Sequence, residues 1–180
     1  MSGWEAMLAE IVRTRRGALV GYAALFALNR VDAEDLVQEA LVRVFARRRS
    51  FTDPAAAEAY VKAAVRTAFL DRARRAKTAQ GRAHLFLVDD VRGPEASVVA
   101  GVDVAAALAC LSPRERACVV ARYFDDLAVA EVANELGLSE GAVKRYLFDA
   151  TAKLRERLGD RVTFPVAETA LVAVPDVAAG

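Results

Sequence analysis

The stretch VAEVANELGLSEGAVKRYLFDATAKLRER, residues 129–157, decides the fold of this chain. Its first eight residues carry an apolar face at the spacing that a short helix buries. Gly137 follows, and glycine is the residue that most readily takes the left-handed conformation of a sharp turn. Ser139 is then placed to cap a second, longer helix. This order predicts a helix-turn-helix.

The second of these helices has a buried side and a polar side. Its apolar positions are Val143, Leu147, Ala150, Leu154 and Leu158. Lys144 and Arg145 lie off this seam, where a recognition helix meets the major groove of DNA. Backbone amides near Ser139, Glu140 and Gly141 are placed to bind a phosphate. The alternative is an ordinary helical hairpin whose two cations are only solvated.

The charge of the chain is balanced overall but segmented. The 180 residues are 55% hydrophobic, enough for one domain or two small ones, and the net charge is only +1. Residues 54–83 nevertheless hold seven Lys and Arg against two acids, a local net charge of +5. Residues 84–103 have a local net charge of −3. A basic block beside an acidic block favours a nucleic-acid partner more than the total suggests.

Cysteine and histidine usage argues against a metal site or a disulfide framework. Cys110 and Cys118 lack a paired spacing and His84 is the only histidine, so we predict no metal, no cofactor and two reduced, buried cysteines. The apolar run at 18–28 follows three arginines but is too short to cross a bilayer. We therefore expect a cytoplasmic protein without membrane insertion.

A helix predicted over 32–48 has acids at its start and arginines at its end, which complements the helix dipole. We expect Asp32 to cap it. The polar residues Asp35, Gln38 and Glu39 lie beside its apolar stripe. They are either solvated residues whose acids complement the dipole at the start of the helix, or a docking surface for a basic partner helix.

The remaining boundaries follow from breaks in periodicity. A first helix is expected before residue 30, interrupted near Gly17, and Asp53-Pro54 starts a basic helix. Ser112-Pro113 with Glu115 forms a capping box that starts another. We predict an all-α chain with one helical domain at 1–77, an acidic linker at 78–102 and a second domain at 103–159. Residues 160–180 form a tail of unassigned role.

Three motifs occur in an order that resembles one family. Residues 32–45 are similar to the polymerase-docking helix of extracytoplasmic-function sigma factors, in the sigma-70 family. Residues 59–72 resemble the helix with which these proteins read the −10 promoter element, and residues 111–158 resemble their −35 reader. The resemblance implies a helical bundle like sigma region 2, followed by a helix-turn-helix domain like sigma region 4.

The resemblance also implies roles for particular residues. Asp35, Gln38 and Glu39 would face the clamp helices of the β′ subunit of RNA polymerase, whose β subunit is a further partner. The −10 element would be read by four residues, Tyr60, Lys62, Arg66 and Thr67. An aromatic ring and cations at helical spacing suit opened, single-stranded DNA. For Tyr60 alone, core packing is an equal alternative.

Two positions of the −35 reader depart from the family pattern. Asp149 and Thr151 stand where arginines are usual, which predicts weaker phosphate contact and a flatter salt dependence.

The sequence therefore predicts a transcription initiation factor that directs core RNA polymerase to promoters. It would read −35 as duplex and −10 as opened strand, with an anti-sigma factor as a further partner, and it would not be an enzyme because no catalytic constellation appears. The alternatives are a helix-turn-helix regulator that acts without polymerase, and a polymerase-docking protein that no longer recognises promoters.

Overall fold

The predicted all-α class is confirmed by the structure, a computed structural model that describes residues 3–27, 29–47, 50–82 and 104–158. These residues form eight helices and no strand. The helices are α1 (Gly3–Thr14), α2 (Arg16–Ala23), α3 (Arg30–Phe45), α4 (Pro54–Arg82), α5 (Val104–Ala109), α6 (Pro113–Tyr123), α7 (Val129–Leu136) and α8 (Glu140–Leu158). We call α1–α4 the N-terminal unit and α5–α8 the C-terminal unit.

The N-terminal unit is a bundle in which α4 packs along α3 and against α1 and α2. Two predicted boundaries were wrong. The first helix is interrupted at Arg15, not Gly17. The cap of α3 is Asn29, whose side chain accepts from the amide of Asp32, so α3 begins two residues before that aspartate. Asn29 satisfies the exposed amide as well as an aspartate would, and it precedes the apolar pattern.

The basic helix starts as predicted. Asp53 accepts a 2.8 Å hydrogen bond from the amide of Ala56, and Pro54 is the first residue of α4. The helix continues to Arg82, past the expected domain end at Lys77. Most of the predicted acidic linker, residues 83–102, and the tail at 160–180 lie outside the described residues.

The C-terminal unit is built on the predicted caps. Ser112 and Glu115 form the capping box of α6. Lys153 of α8 donates to both carboxylate oxygens of Glu115 at 2.8 and 2.9 Å, and this ties α8 to the start of α6. Burial opposes the charge of Glu115, but the hydrogen bonds from Lys153 and Ser112 outweigh it and lower the pKa of this carboxyl.

The turn at Gly137 confirms the helix-turn-helix. Gly137 has φ +63°, and its amide closes α7 on the carbonyl of Ala133. Ser139 accepts a 3.2 Å hydrogen bond from the amide of Ala142 and so caps α8. The predicted seam of α8 is buried from Val143 to Leu154. A side chain at 137 would strain the backbone, because φ is positive there.

The two units share one continuous core. Phe26, after α2, packs on Phe69 of α4 with 5.2 Å between ring centroids. The guanidinium of Arg116, from α6, lies over the Phe69 ring and donates to the carbonyl of Phe26 at 2.9 Å. Buried apolar residues therefore run from α1–α4 into α5–α8 without a break.

The expectation of two buried cysteines was wrong for one of them. Cys118 is fully buried, and burial raises the pKa of its thiol to about 12, whereas Cys110 is exposed at the end of α5. We expect iodoacetamide at pH 8 to label native protein at Cys110 alone, because only an accessible thiolate reacts. Mass spectrometry should find both sites labelled after denaturation. Labelling of Cys118 in native protein would contradict this packing.

Candidate nucleic-acid interface

The exposed side of α8 presents four residues on one face. Gly141, Lys144, Arg145 and Phe148 are exposed and spaced at i, i+3, i+4 and i+7, so they lie within one strip of the helix surface. We call these four residues the reading face. The opposite side is buried in the unit. Two cations and an aromatic ring on a rigid helix can contact phosphates, guanine edges and the methyl group of thymine.

The N-terminus of α8 adds backbone donors to this face. Ser139, Glu140 and Gly141 are all exposed. A Cβ at Gly141 would meet no atom within 4 Å, so nothing in the described fold requires glycine here. A bare backbone at the start of a helix lets a phosphate approach the amide groups closely. The predicted phosphate contact at 139–141 therefore has room in this structure.

Tyr146 extends the same region toward α6. Its hydroxyl accepts a 3.2 Å hydrogen bond from Arg114, and Arg145 lies over its ring at 5.5 Å. Hydrogen bonding from Arg114 lowers the pKa of Tyr146. Two arginines from different helices are thereby gathered at one edge of the reading face.

The two departures from the family pattern have different surroundings. Thr151 is buried, and its hydroxyl donates to the carbonyl of Phe148 at 3.0 Å. Position 151 therefore does not belong to the reading face. Asp149 is half-exposed, and the pKa of Lys153 is raised first by its hydrogen bond to Glu115 and further by the negative charge of Asp149.

The structure separates the four predicted −10 residues into two pairs. Tyr60 and Thr67 are exposed and, seven residues apart, lie on the same face of α4. The Tyr60 ring packs in a tilted arrangement near the Phe51 ring, with 5.3 Å between centroids. Lys62 and Arg66 lie on nearly the opposite face, which packs against the C-terminal unit.

Arg66 is the centre of a cluster that joins the two units. It is 2% exposed, and its guanidinium donates to Tyr22, to Asp125 before α7 and to Glu135 of α7. Lys62 lies 3.6 Å from Asp125. Burial disfavours the charged form of Arg66. The interactions with Tyr22, Glu135 and Asp125 favour it more strongly, so the pKa of Arg66 is raised. We call Tyr22, Arg66, Asp125 and Glu135 the interdomain cluster.

The predicted docking helix also presents one exposed stripe. Val31, Asp35, Gln38 and Val42 are exposed along α3, and neither polar member has a hydrogen bond or ion pair with another described residue. Glu39 differs, because its two oxygens accept from Arg43 at 2.6 Å and Arg72 at 3.0 Å. The structure thus brings Asp35 and Gln38 together on a free surface and turns Glu39 toward α4.

Sequence reasoning missed several of these residues. Phe148 is 66% exposed, yet in the sequence it reads as a neighbour of the apolar seam. Its i+4 spacing from Lys144 was the signal that could have found it. Val31 and Val42 were missed because, in the sequence, they too read as neighbours of an apolar stripe. Asp125 and Glu135 carried no local signal, because their partner Arg66 is 59 and 69 residues away.

Two other kinds of site were searched for within the described ranges. There, three or more His, Cys, Asp and Glu side chains nowhere come together in a group that could hold a metal ion. None of the described helices combines the length and apolar character needed to cross a membrane.

Comparison with known families covers both units. The family described as "Sigma-70 region 2" matches residues 11–79, and "Sigma-70, region 4" matches residues 107–156. The first match spans α2, α3 and most of α4 with part of α1, and the second contains α7, the turn at Gly137 and all but the last two residues of α8.

Characterised relatives match along most of the chain. The RNA polymerase sigma-E factor of Streptomyces avermitilis is 34% identical over 155 residues, which cover 84% of this chain and 85% of that protein. The ECF RNA polymerase sigma factor SigM of Mycobacterium tuberculosis is 34% identical over 150 residues, covering 83% of this chain and 76% of that one.

A solved structure has the same fold. The sigma factor RpoE of Bartonella quintana, crystallised with the anti-sigma factor NepR, matches with a TM-score of 0.63 and 23% identity. The match covers 86% of this chain and 97% of that one.

Proposed function

Because the chain belongs to the sigma-70 family, in its extracytoplasmic-function group, we propose that its two units divide promoter recognition between them. The chain is an RNA polymerase sigma factor that directs core polymerase to promoters, and members of this family are DNA-binding regulators, not enzymes. The C-terminal unit reads the −35 element as duplex, and the N-terminal unit captures the −10 element as opened strand.

The observation that carries the −35 role is the reading face of α8. Lys144, Arg145 and Phe148 are exposed on one strip of a helix whose other side is fully packed, so the strip can enter a groove without repacking the unit. The capped N-terminus of α8 supplies the phosphate contact that sets its register.

The −10 role rests on the exposed face of α4. Tyr60 offers a ring for base stacking, and Thr67 lies two turns further along the same face. Lys62 and Arg66 become available to DNA phosphates only when the two units separate, because both now contact the C-terminal unit.

The exposed stripe of α3 is the proposed docking surface for the β′ clamp helices of core polymerase, with Asp35 and Gln38 at its centre. Acidic and polar residues between two exposed valines suit a basic amphipathic partner. An anti-sigma partner of this chain would cover the same stripe, and the protein acts where polymerase acts, in the cytoplasm.

Run-off transcription with purified core polymerase and genomic fragments tests this function. We expect promoter-specific transcripts that need both the chain and core polymerase. Polymerase binding without transcripts would indicate a docking protein. Duplex binding that does not respond to polymerase would indicate an independent regulator, and either result would overturn the proposal.

Phe148 gives this function a base-specific test. If its ring contacts a thymine methyl group in the −35 element, Phe148→Ala should lower transcription by roughly fivefold, the size of one weak base contact. Replacing that thymine by deoxyuridine removes the methyl group alone. Wild-type protein should lose activity on the deoxyuridine promoter, whereas the variant should be insensitive to the change. Equal sensitivity of both proteins would assign the methyl contact to another residue.

A further inference from the structure

Arg114, at the start of α6, is held at the edge of the reading face by a partner that brings no charge. Its Nη1 donates a 3.2 Å hydrogen bond to the hydroxyl oxygen of Tyr146, which lies on α8. Arg114 is exposed, and it forms no ion pair with any residue that the structure describes. The guanidinium is therefore oriented while its charge stays unneutralised.

Arg145 is held by the same tyrosine in a different way. Its guanidinium lies over the Tyr146 ring, 5.5 Å from the centroid, and it too has no ion pair among the described residues. We call Arg114, Arg145 and Tyr146 the arginine fork. By contrast, Arg43 is paired with the carboxylate of Glu39, which orients the guanidinium but also cancels its charge. A fork built on a phenol leaves both charges available to an outside anion.

The fork lies on one flank of α8, and Lys144 lies on the other. At 3.6 residues per turn, neighbouring residues are about 100° apart around a helix, so Lys144 and Tyr146 lie on opposite sides of Arg145. A helix with its side chains is about 10–12 Å wide, and the major groove of DNA is about 12 Å wide. When the reading face enters the groove, each flank of α8 therefore comes close to one phosphate wall.

The chemistry of the fork suits a phosphate. A guanidinium has five N–H donors, and Tyr146 takes one from Arg114. The remaining donors can bind two oxygens of one phosphate in the paired geometry that arginine favours. Asp149 is half-exposed one turn beyond Tyr146, and its carboxylate repels a phosphate on this flank. Arg114 supplies from α6 the positive charge that α8 lacks there.

We propose that the arginine fork is a second phosphate-binding site of the C-terminal unit, which holds the DNA backbone on the flank of α8 opposite Lys144, with Tyr146 as the positioning residue. The inference rests on the proposed function, since its ligand is the duplex that the reading face enters. It gives α6 a DNA contact of its own, because Arg114 lies outside the recognition helix. The site is separate from the start of α8, since Gly141 lies about 8 Å before Tyr146 along the helix axis.

The first test removes the guanidinium that α6 supplies. Arg114→Ala should weaken binding of the polymerase holoenzyme to a promoter fragment by roughly fivefold. The factor should be the same on fragments with altered −35 bases, because a phosphate contact does not depend on sequence. The slope of log affinity against log salt should become shallower by about 0.9, the contribution of one phosphate contact. Thermal unfolding should be unchanged, since Arg114 is exposed.

Arg157→Ala is the matched control for Arg114→Ala. It also removes one exposed arginine from the C-terminal unit. Arg157 lies about three turns beyond Tyr146, on the same flank of α8 but roughly 16 Å further along the helix axis. This variant should keep the wild-type affinity and salt slope. Equal losses from both variants would mean that only total charge matters, and the proposal would be overturned.

The role of Tyr146 is tested by two variants that divide its contacts. Tyr146→Phe keeps the ring beside Arg145 but removes the hydroxyl that Arg114 binds, whereas Tyr146→Leu removes both contacts. Tyr146→Phe should lose roughly threefold in affinity, and nothing further when combined with Arg114→Ala. Tyr146→Leu should lose affinity even in the Arg114→Ala background, because Arg145 is released. A Tyr146→Phe loss that simply adds to that of Arg114→Ala would contradict the positioning role.

A scan with methylphosphonates locates the phosphate that the fork binds. Each substitution replaces one charged phosphate of the −35 duplex by a neutral group. Wild-type protein should lose affinity at one position where Arg114→Ala and Tyr146→Phe are much less sensitive. A purely structural role of these side chains would not move this pattern. If wild type and Arg114→Ala respond alike at every position, the fork binds no phosphate.

The fork and the proposed function can fail separately. Because a phosphate contact is independent of sequence, a random duplex with the full chain alone at low salt also reports it. If no promoter-specific transcripts form, but Arg114→Ala lowers affinity and slope on the random duplex and Arg157→Ala does not, the function fails while the phosphate site stands. If transcripts are promoter-specific and Arg114→Ala matches wild type in affinity and slope, the function stands and the fork is overturned.

Discussion

Replacing Lys144 and Arg145 together by alanine is expected to lower −35-dependent transcription by at least about thirtyfold. Each cation that contacts a base edge or phosphate is worth about 1–3 kcal/mol, and the two lie side by side on the reading face. Neither is buried, so α8 should remain folded. Run-off transcription on a promoter fragment measures the loss, and fluorescence anisotropy with labelled core polymerase should show unchanged polymerase binding.

The control for this prediction lies on the same helix. Arg155→Ala with Arg157→Ala also removes two exposed cations from α8. These residues lie about 17 Å further along the helix axis, at 1.5 Å per residue, beyond the reach of a groove contact centred on Lys144. We expect a much smaller effect. Comparable losses from both pairs would mean that α8 binds DNA only through its total charge, and a loss of polymerase binding would refute the division between the two units.

Charge reversal at Asp35 has the second large effect that we expect. Asp35→Lys places a cation in the middle of the exposed α3 stripe, where a basic partner helix is proposed to dock. The change replaces an attraction by a repulsion and should weaken binding to core polymerase by roughly ten- to a hundredfold. Asp35 has no hydrogen bond or ion pair within the described residues, so the stability of the N-terminal unit should change little.

The Asp35 effect can be told apart from the α8 effect by concentration. Raising the concentration of the Asp35→Lys protein should restore transcription, whereas saturating amounts of the Lys144, Arg145 variant should not. Glu10→Lys is the matched control, since it makes the same charge change on α1, where the Glu10 carboxylate pairs, among the described residues, with Arg13 of the same helix alone. Glu39→Lys is not equivalent, because it would also break the contacts with Arg43 and Arg72. If Glu10→Lys weakened polymerase binding equally, the proposal that α3 forms the docking surface would be contradicted.

The sequence by itself determined the local architecture of this protein. The turn at Gly137, the cap at Ser139 and the capping box at Ser112 each depend on a few neighbouring residues, and all three are present in the structure. The apolar seam of α8 could be identified because helical periodicity assigns each side chain to a face. The family followed from three such segments in order, for the same reason.

The tertiary structure alone decided which side chains are free to bind. Arg66 and Thr67 are adjacent in the sequence, yet one is buried in an ion-pair cluster and the other is exposed. Likewise, Asp35 has no hydrogen-bond or ion-pair partner among the described residues, while Glu39, one helical turn away, accepts from Arg72 of another helix. The physical reason is that a buried arginine takes its partners from whichever helices pack around it, and for Arg66 these are 59 and 69 residues distant along the chain.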